Sequence, residues 1–217
     1  MSRSSKCEAI GILTSAPPTT RPMLIEKVKK FHIILASASP RRQEFFRKLG
    51  LDFEVRLKPI DEIFPNHLKR IDIADFLAKL KAKPFLAELK VNDLLITSDT
   101  VVWHKGTFLG KPEDEEQAYL MLKSMSGDWH EVITSVCFTR ANDQRLVNSS
   151  TQVKFKDLTD EEIRYYIKEY KPFDKAGGYG IQDWIGLIGI EEIRGSYTNV
   201  VGLPTHLVYN ALKEMID

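Results

Sequence analysis

Two strand-like runs, residues 129–140 and 145–156, flank the four residues Ala141-Asn142-Asp143-Gln144. Turn-forming Asn and Asp between β-branched and aromatic segments predict a long hairpin. A hairpin imposes antiparallel pairing, while the chain on either side alternates strand with helix. A strictly parallel, doubly wound sheet is therefore excluded. The class that remains is α/β of the mixed α+β kind: a central mixed twisted sheet with helices on both sides.

The other elements follow from local signals. Residues 32–37, HIILAS, form a short apolar run suited to a strand buried on both faces. Ser39-Pro40 opens a helix, with Ser as N-cap and Pro in the first turn; Phe45, Phe46 and Leu49 give it an apolar face and Gly50 ends it. Residues 53–57 read as another strand. Residues 72–89 carry helical spacing that Pro84 should kink or split. Residues 94–103 are a strong strand whose polarity is interrupted at Thr97-Ser98-Asp99-Thr100. An acidic-started helix is expected over 112–125, with Glu113 to Glu116 at the positive end of its dipole. Thr159-Asp160-Glu161-Glu162 is a capping box for a helix through Tyr170. Residues 174–182 form a glycine-rich loop, 187–194 a strand, and 203–215 a terminal helix begun by Pro204.

Residues 1–22, rich in Ser, Thr and Pro, form a different unit, expected to be a loosely ordered extension or a start placed too early. Its apolar stretch is too short for a signal peptide. The domain proper is read as 23–217. With 43% hydrophobic residues and near-balanced charge, the chain is not disordered. Thirty-one Lys plus Arg against 30 Asp plus Glu give a net charge of +1, a poor start for a nucleic-acid binder. No apolar run approaches the ~18 residues of a membrane span. Cys7 and Cys137 supply neither a disulfide framework nor a metal-ligand spacing. The expectation is a cytoplasmic domain that binds neither nucleic acid nor membrane.

Three segments carry chemistry. Ser37-Ala38-Ser39-Pro40-Arg41-Arg42 joins a buried strand to a helix. It reads equally as an anion site or as a capped helix with two solvated arginines. Asp99 interrupts an apolar strand, where a carboxylate is costly unless paired, hydrogen-bonded or near a metal. That makes it a candidate for catalysis or metal binding. Lys111, in Gly110-Lys111-Pro112, is weak evidence alone. There is no P-loop, and Asp174-Lys175-Ala176-Gly177-Gly178-Tyr179-Gly180 lacks dinucleotide-binding spacing. The five histidines show no metal spacing, and His130 reads as structural. A metal, if used, would be oxygen-ligated Mg²⁺ or Mn²⁺ held partly by phosphates.

In order, LASASPRRQEFFRKLG, Ile60-Asp61-Glu62, SDTVV (98–102), GKP (110–112), SGDWHEVITSV (126–136), DKAGGYGIQ (174–182) and GSYTNVVGLP (195–204) resemble the Maf nucleotide pyrophosphatases. The resemblance runs from about residue 32 to 212. It implies a two-lobed fold akin to the inosine-triphosphate pyrophosphatases, with a nucleotide in the cleft. It also implies hydrolysis of a nucleoside triphosphate to monophosphate and pyrophosphate, assisted by a divalent cation. Arg41, Thr100 and Gln182 are similar to the dTTP/UTP subgroup; the 7-methyl-GTP subgroup carries Trp, Gln and Glu there. Gln182 offers a donor and an acceptor, which suits the O4 and N3–H of uracil or thymine.

On this resemblance Asp99 is the general base or holds the metal, and Ser37, Arg42, Lys81 and Lys111 hold the triphosphate. Glu62 and Glu44 assist the metal or serve as partners of a neighbouring arginine. The implied role is removal of non-standard pyrimidine nucleotides, and a homodimer is expected by analogy alone. The alternatives are the 7-methyl-GTP activity of the sister subgroup, a non-enzymatic regulator of septum formation, and a nucleic-acid module using Arg41 and Arg42.

Overall fold

The computed structural model describes residues 23–215. The expected loose extension, residues 1–22 with Cys7, lies outside them. A seven-stranded mixed sheet runs in the order β2-β1-β3-β5-β6-β7, and β4 also pairs with β3. β1 (His32–Leu35) lies parallel to β2 (Glu54–Val55) and to the start of β3 (Asp93–His104). β5 (Trp129–Thr139) and β6 (Gln144–Phe155) form the hairpin expected from the sequence. β4 (Thr107–Leu109) folds back on the end of β3, and β7 (Ile190–Arg194) closes the far edge against β6.

β3 decides where a cleft can form. Its first residues pair with β1 up to Leu35 and Ile96, and its last residues pair with β4 from Val102 onward. Between Ile96 and Val102, that side of β3 meets neither strand, and the sheet is split. The side chains follow the same division. On one face, Ile96, Val136 and Phe138 join Leu24, Phe46 and Val208 in one apolar cluster. Further along the same strands, Val102, Val132 and Val153 join Leu122, Ile163 and Ile185 in another. Buried Ser98 and Thr134, with half-buried Thr100, lie between the two clusters. Two apolar cores separated by a polar belt are the physical content of two lobes on one sheet.

The helices cover these cores as their apolar spacing dictates. α1 (Met23–Val28), α2 (Pro40–Lys48) and α8 (Thr205–Glu214) enclose the first. α4 (Glu115–Met125), α5 (Asp160–Tyr170) and α6 (Trp184–Gly189) enclose the second. α3 (Ile71–Ala82) covers the opposite face through Ile73 and Leu77 against Val101 and Ile133. As Pro84 foretold, this helix ends early and continues as a 3₁₀ turn, Lys83–Glu88.

Some expectations need correction. The strand expected over 187–194 is helix α6 followed by β7, because residues 184–189 turn back on residue 181. A Cβ on Gly186 would sit 1.9 Å from the Ile181 carbonyl oxygen, so only glycine permits the turn. The strand over 53–57 shrinks to Glu54–Val55, an edge strand paired on one side. The acidic helix starts at Glu115, since Asp114 is its N-cap and accepts from the Gln117 N–H. α7 (Tyr197–Val201) was not foreseen.

The capping box on α5 is present in full: Thr159 Oγ1 accepts from Glu162 N at 3.2 Å, and Glu162 Oε2 accepts from Thr159 N at 2.8 Å. Thr159→Ala should remove about 1 kcal/mol and lower Tm by about 2–4 °C in a domain of this size. Thermal melting of the two proteins is the check, and an unchanged Tm would show that the cap contributes nothing.

Candidate active site

Where the sheet splits, a cleft of about 540 Å³ opens between the two apolar clusters. Residues 36–42, at the end of β1 and the start of α2, line one wall; the glycine-rich loop and residues 200–202 line another. Asp99, Lys81, Glu62 and Lys111 also face it. All eight residues assigned from the sequence to substrate, catalysis or specificity line this one cleft, and so does Glu62.

Asp99 is 6% exposed. Strand alternation turns it, with Thr97 and Val101, towards α3. Thr97 Oγ1 donates to the Ala78 carbonyl at 2.6 Å, which pins β3 to that helix. One turn on, Lys81 Nζ lies 2.5 Å from Asp99 Oδ1 and 3.0 Å from Glu62 Oε1. Burial pushes the Asp99 carboxyl above its ordinary range, although Lys81 and Arg42 pull it back. Burial acts on Glu62 in the same sense, but Lys81, Lys111 and Arg42 outweigh it and leave Glu62 below its ordinary value. The two carboxylates thus differ in character, with Asp99 the better placed to take a proton.

Arg42 occupies the split itself. Its Nε donates to the Gly202 carbonyl at 2.8 Å, Nη1 to the Ser98 carbonyl at 3.0 Å, and Nη2 to Thr100 Oγ1 at 3.0 Å. Ile96 O accepts from Ala36 N on the β1 side, so the Ser98 carbonyl two residues on faces the gap that β1 leaves. Arg42 satisfies it where a strand would otherwise do so. Three of its five N–H groups are used, and two remain for a ligand. Burial lowers its pKa, with Asp99 opposing.

Ser39 caps α2, its Oγ accepting from Arg42 N at 3.4 Å, and Ser37 is buried with its Oγ accepting from Ser39 N at 3.3 Å. The segment is therefore both a capped helix and an arginine pair directed into a cleft. Arg41 reaches Asp174 at 3.3 Å across the mouth. Thr100, assigned to specificity, spends its hydroxyl on Arg42 and on Thr134 at 2.9 Å. Gln182 lies exposed at the rim. Glu44 belongs elsewhere: it pairs with Arg47 and Lys48 along the outer face of α2. His130 is structural, as expected. It stacks on Phe155, meets the Tyr179 hydroxyl at 2.6 Å, and is pushed down to about 3 by burial.

Sequence reasoning missed Lys58 and Lys175, both lining the cleft. Lys58 is held by the Pro84 carbonyl at 2.8 Å and by Glu88. Lys175 lies 2.7 Å from Asp174 and 3.8 Å from Asp183. Neither stands in a pattern that marks a lysine as other than solvated, although Lys175 sits inside a quoted motif.

Because Arg42 bridges the split, Arg42→Lys should cost stability as well as turnover. A lysine ammonium cannot reproduce the fork, and carbonyls left unpaired cost about 1–3 kcal/mol. Differential scanning calorimetry should show the lower Tm. An unchanged Tm with reduced turnover would assign Arg42 to substrate alone.

The family model and the relatives in sequence agree on family. The model described as "Maf-like protein" matches residues 32–215. A protein of Flavobacterium johnsoniae named dTTP/UTP pyrophosphatase is 57% identical over 194 residues, covering 89% of this chain and all of its own length. One of Flavobacterium psychrophilum with the same name is 60% identical over 187 residues, covering 86% of this chain and 96% of its own. A solved dITP/XTP pyrophosphatase from Mycobacterium abscessus is 11% identical, with a TM-score of 0.41 over 85% of this chain and 96% of that one. With a family match over nearly all the described residues and relatives this similar, the chain belongs to the Maf-like proteins.

Proposed function

We propose that this protein hydrolyses dTTP and UTP to the nucleoside monophosphate and pyrophosphate. The observation that carries the reading is the buried Asp99 at the break in the sheet, facing a cleft that also presents Arg42, Lys81 and Lys111. A carboxylate raised by burial, among cations that can hold a triphosphate, suits general-base activation of water. The name carried by relatives 57–60% identical supports the choice of substrate.

In this reading Ser37 and the start of α2 receive phosphate oxygens through hydroxyl and backbone donors. Arg42, Lys81 and Lys111 neutralise the triphosphate and stabilise charge developing on the departing pyrophosphate. Asp99 accepts the proton of the water that attacks the α-phosphorus, which is why pyrophosphate leaves intact. Lys81 holds Asp99 by one oxygen and leaves the other to receive that proton. Arg41, Thr100 and Gln182 set the nucleotide: Thr100 by fixing Arg42, Arg41 and Gln182 from the rim.

Beside Lys81, Asp99 and Glu62 also offer carboxylate oxygens that would suit a divalent cation. Asp99 and Glu62 converge on one cationic group, the Lys81 ammonium, and Mg²⁺ is characteristically held by one or two carboxylates plus substrate phosphates. When bound, it would neutralise phosphate charge and polarise the scissile bond.

Pyrophosphate release from a panel of dTTP, UTP, CTP, GTP and 7-methyl-GTP with Mg²⁺ or Mn²⁺ tests the activity. The first two should be turned over best. Asp99→Asn keeps the shape and removes the charge, and should lower kcat roughly 10²–10⁴-fold. Retention of more than about half of wild-type turnover would remove Asp99 from the role of general base.

A further inference from the structure

Gln182 is followed by a residue that holds it. Gln182 Nε2 lies 3.2 Å from Asp183 Oδ1. A carboxylate only accepts, so the amide must turn its NH₂ end to Asp183, and the orientation follows from chemistry. Asp183 is itself locked. Its other oxygen accepts from the Tyr166 hydroxyl at 2.8 Å, and the Tyr166 oxygen accepts from Gly180 N at 3.0 Å. Burial, and then the bond to Asp183, keep the Tyr166 hydroxyl protonated by pushing its pKa up. The Asp183 side chain is 18% exposed, with Lys175 Nζ 3.8 Å away. The cradle is also tight: a Cβ on Gly180 would lie 2.5 Å from Asp183 Oδ2 and 2.8 Å from Gln182 Nε2.

We propose that Asp183 is a positioning residue for base recognition, fixing the Gln182 amide so that it reads uracil or thymine and not cytosine. The proposal rests on the reading above in which Gln182 meets the base. With one amide hydrogen on Asp183, the free edge of Gln182 presents its carbonyl oxygen beside the remaining N–H in a fixed order. Uracil and thymine present N3–H beside an acceptor oxygen, O4. Cytosine presents the reverse, an acceptor N3 beside the N4 donors. Turning the amide over therefore exchanges one complementarity for the other, and Asp183 forbids the turn. No carboxyl-to-amide distance needs to change for this discrimination to work.

Asp183→Asn is the decisive variant. The Tyr166 hydroxyl, with its own oxygen engaged by Gly180, still donates and so draws the Asn oxygen. That leaves the Asn NH₂ facing Gln182, which must offer its carbonyl and turn its NH₂ to the cleft. The ratio of kcat/KM for UTP over CTP should fall about 5–150-fold, the equivalent of ~1–3 kcal/mol for mispaired polar groups. The fall should come through KM, with kcat for UTP nearly kept, and dTTP should follow UTP. Asp183→Ala frees the amide without forcing the turn and should give a smaller fall in the same ratio. It also provides the test if the Asn variant melts too low to assay.

An unchanged ratio in folded Asp183→Asn, or an equal loss on UTP, dTTP and CTP, would overturn the proposal and leave Asp183 as a support of the loop. Gln182→Ala separates the two levels. A selective loss there with an unselective Asp183→Asn sinks only the role of Asp183. An unselective Gln182→Ala sinks base reading at Gln182 and this proposal with it.

Discussion

One strand serves two sets of neighbours, and the interval between them makes the site. β3 is hydrogen-bonded to β1 at its start and to β4 at its end, and along its other edge it runs unbroken beside β5. Pairing on the β5 side continues from Leu95 to Trp103, past the stretch where the opposite edge is bare. Bare strand backbone inside a protein is costly unless each polar group finds a partner. Arg42 supplies that partner for the Ser98 carbonyl, and its other two bonds go to the Thr100 hydroxyl and the Gly202 carbonyl. One side chain thus ties the start of α2, the middle of β3 and the loop after α7. These are three of the walls of the cleft, which is why a single guanidinium holds its shape.

The same break explains how a carboxylate is tolerated at depth. A buried, unpaired Asp would neutralise or destabilise the fold. Asp99 instead meets Lys81, one helical turn beyond the point where Thr97 fastens β3 to α3. Burial drives its pKa up and outweighs the two cations, Lys81 and Arg42, which draw it down. A carboxyl raised by burial accepts a proton more readily than a solvated one, which is the property the proposed role draws on. Glu62, more exposed and held lower, supplies fixed negative charge beside it. The two carboxylates share Lys81, and they differ in depth and in Lys111, which lowers Glu62 alone.

Much of this was legible in the chain. Hairpin, capping box, the proline break in α3 and the buried strand around Asp99 each have a local cause, and local causes leave marks in sequence. The polar interruption Thr97-Ser98-Asp99-Thr100 was visible as an anomaly. Its meaning was not, because nothing in residues 94–103 says that β1 stops at Leu35 and β4 begins at Thr107. Long-range partners were likewise hidden: Arg42 was read as a phosphate ligand, with no sign that Gly202 and Ser98 already claim it. Residues 187–194 misled because Ile and Leu among glycines suit a strand or a helical turn equally. The decision falls to a close approach between Gly186 and the Ile181 carbonyl. Asp183 escaped notice for the same reason: its partner Tyr166 lies on a different element, 17 positions away.

Net charge illustrates how a global quantity can hide a local one. The chain carries +1 overall, yet the cleft is lined by six basic side chains, Arg41, Arg42, Lys58, Lys81, Lys111 and Lys175, against three acidic ones, Glu62, Asp99 and Asp174. A basic stripe on an open face would attract any polyanion and would be screened within about 10 Å at ordinary salt. Confined to a walled cleft, the same charges act in a lower dielectric and on a ligand small enough to enter. The acidic members serve order as well as chemistry. Asp174 lies between Arg41 and Lys175, and Asp183 between Lys175 and Gln182, so a line of alternating charges runs along the rim from one proposed specificity residue to the other. Each link fixes the next, and the rim holds its pattern before any nucleotide arrives. Preorganisation of this kind lowers the cost of binding, because the side chains proposed to read the base are held by partners already.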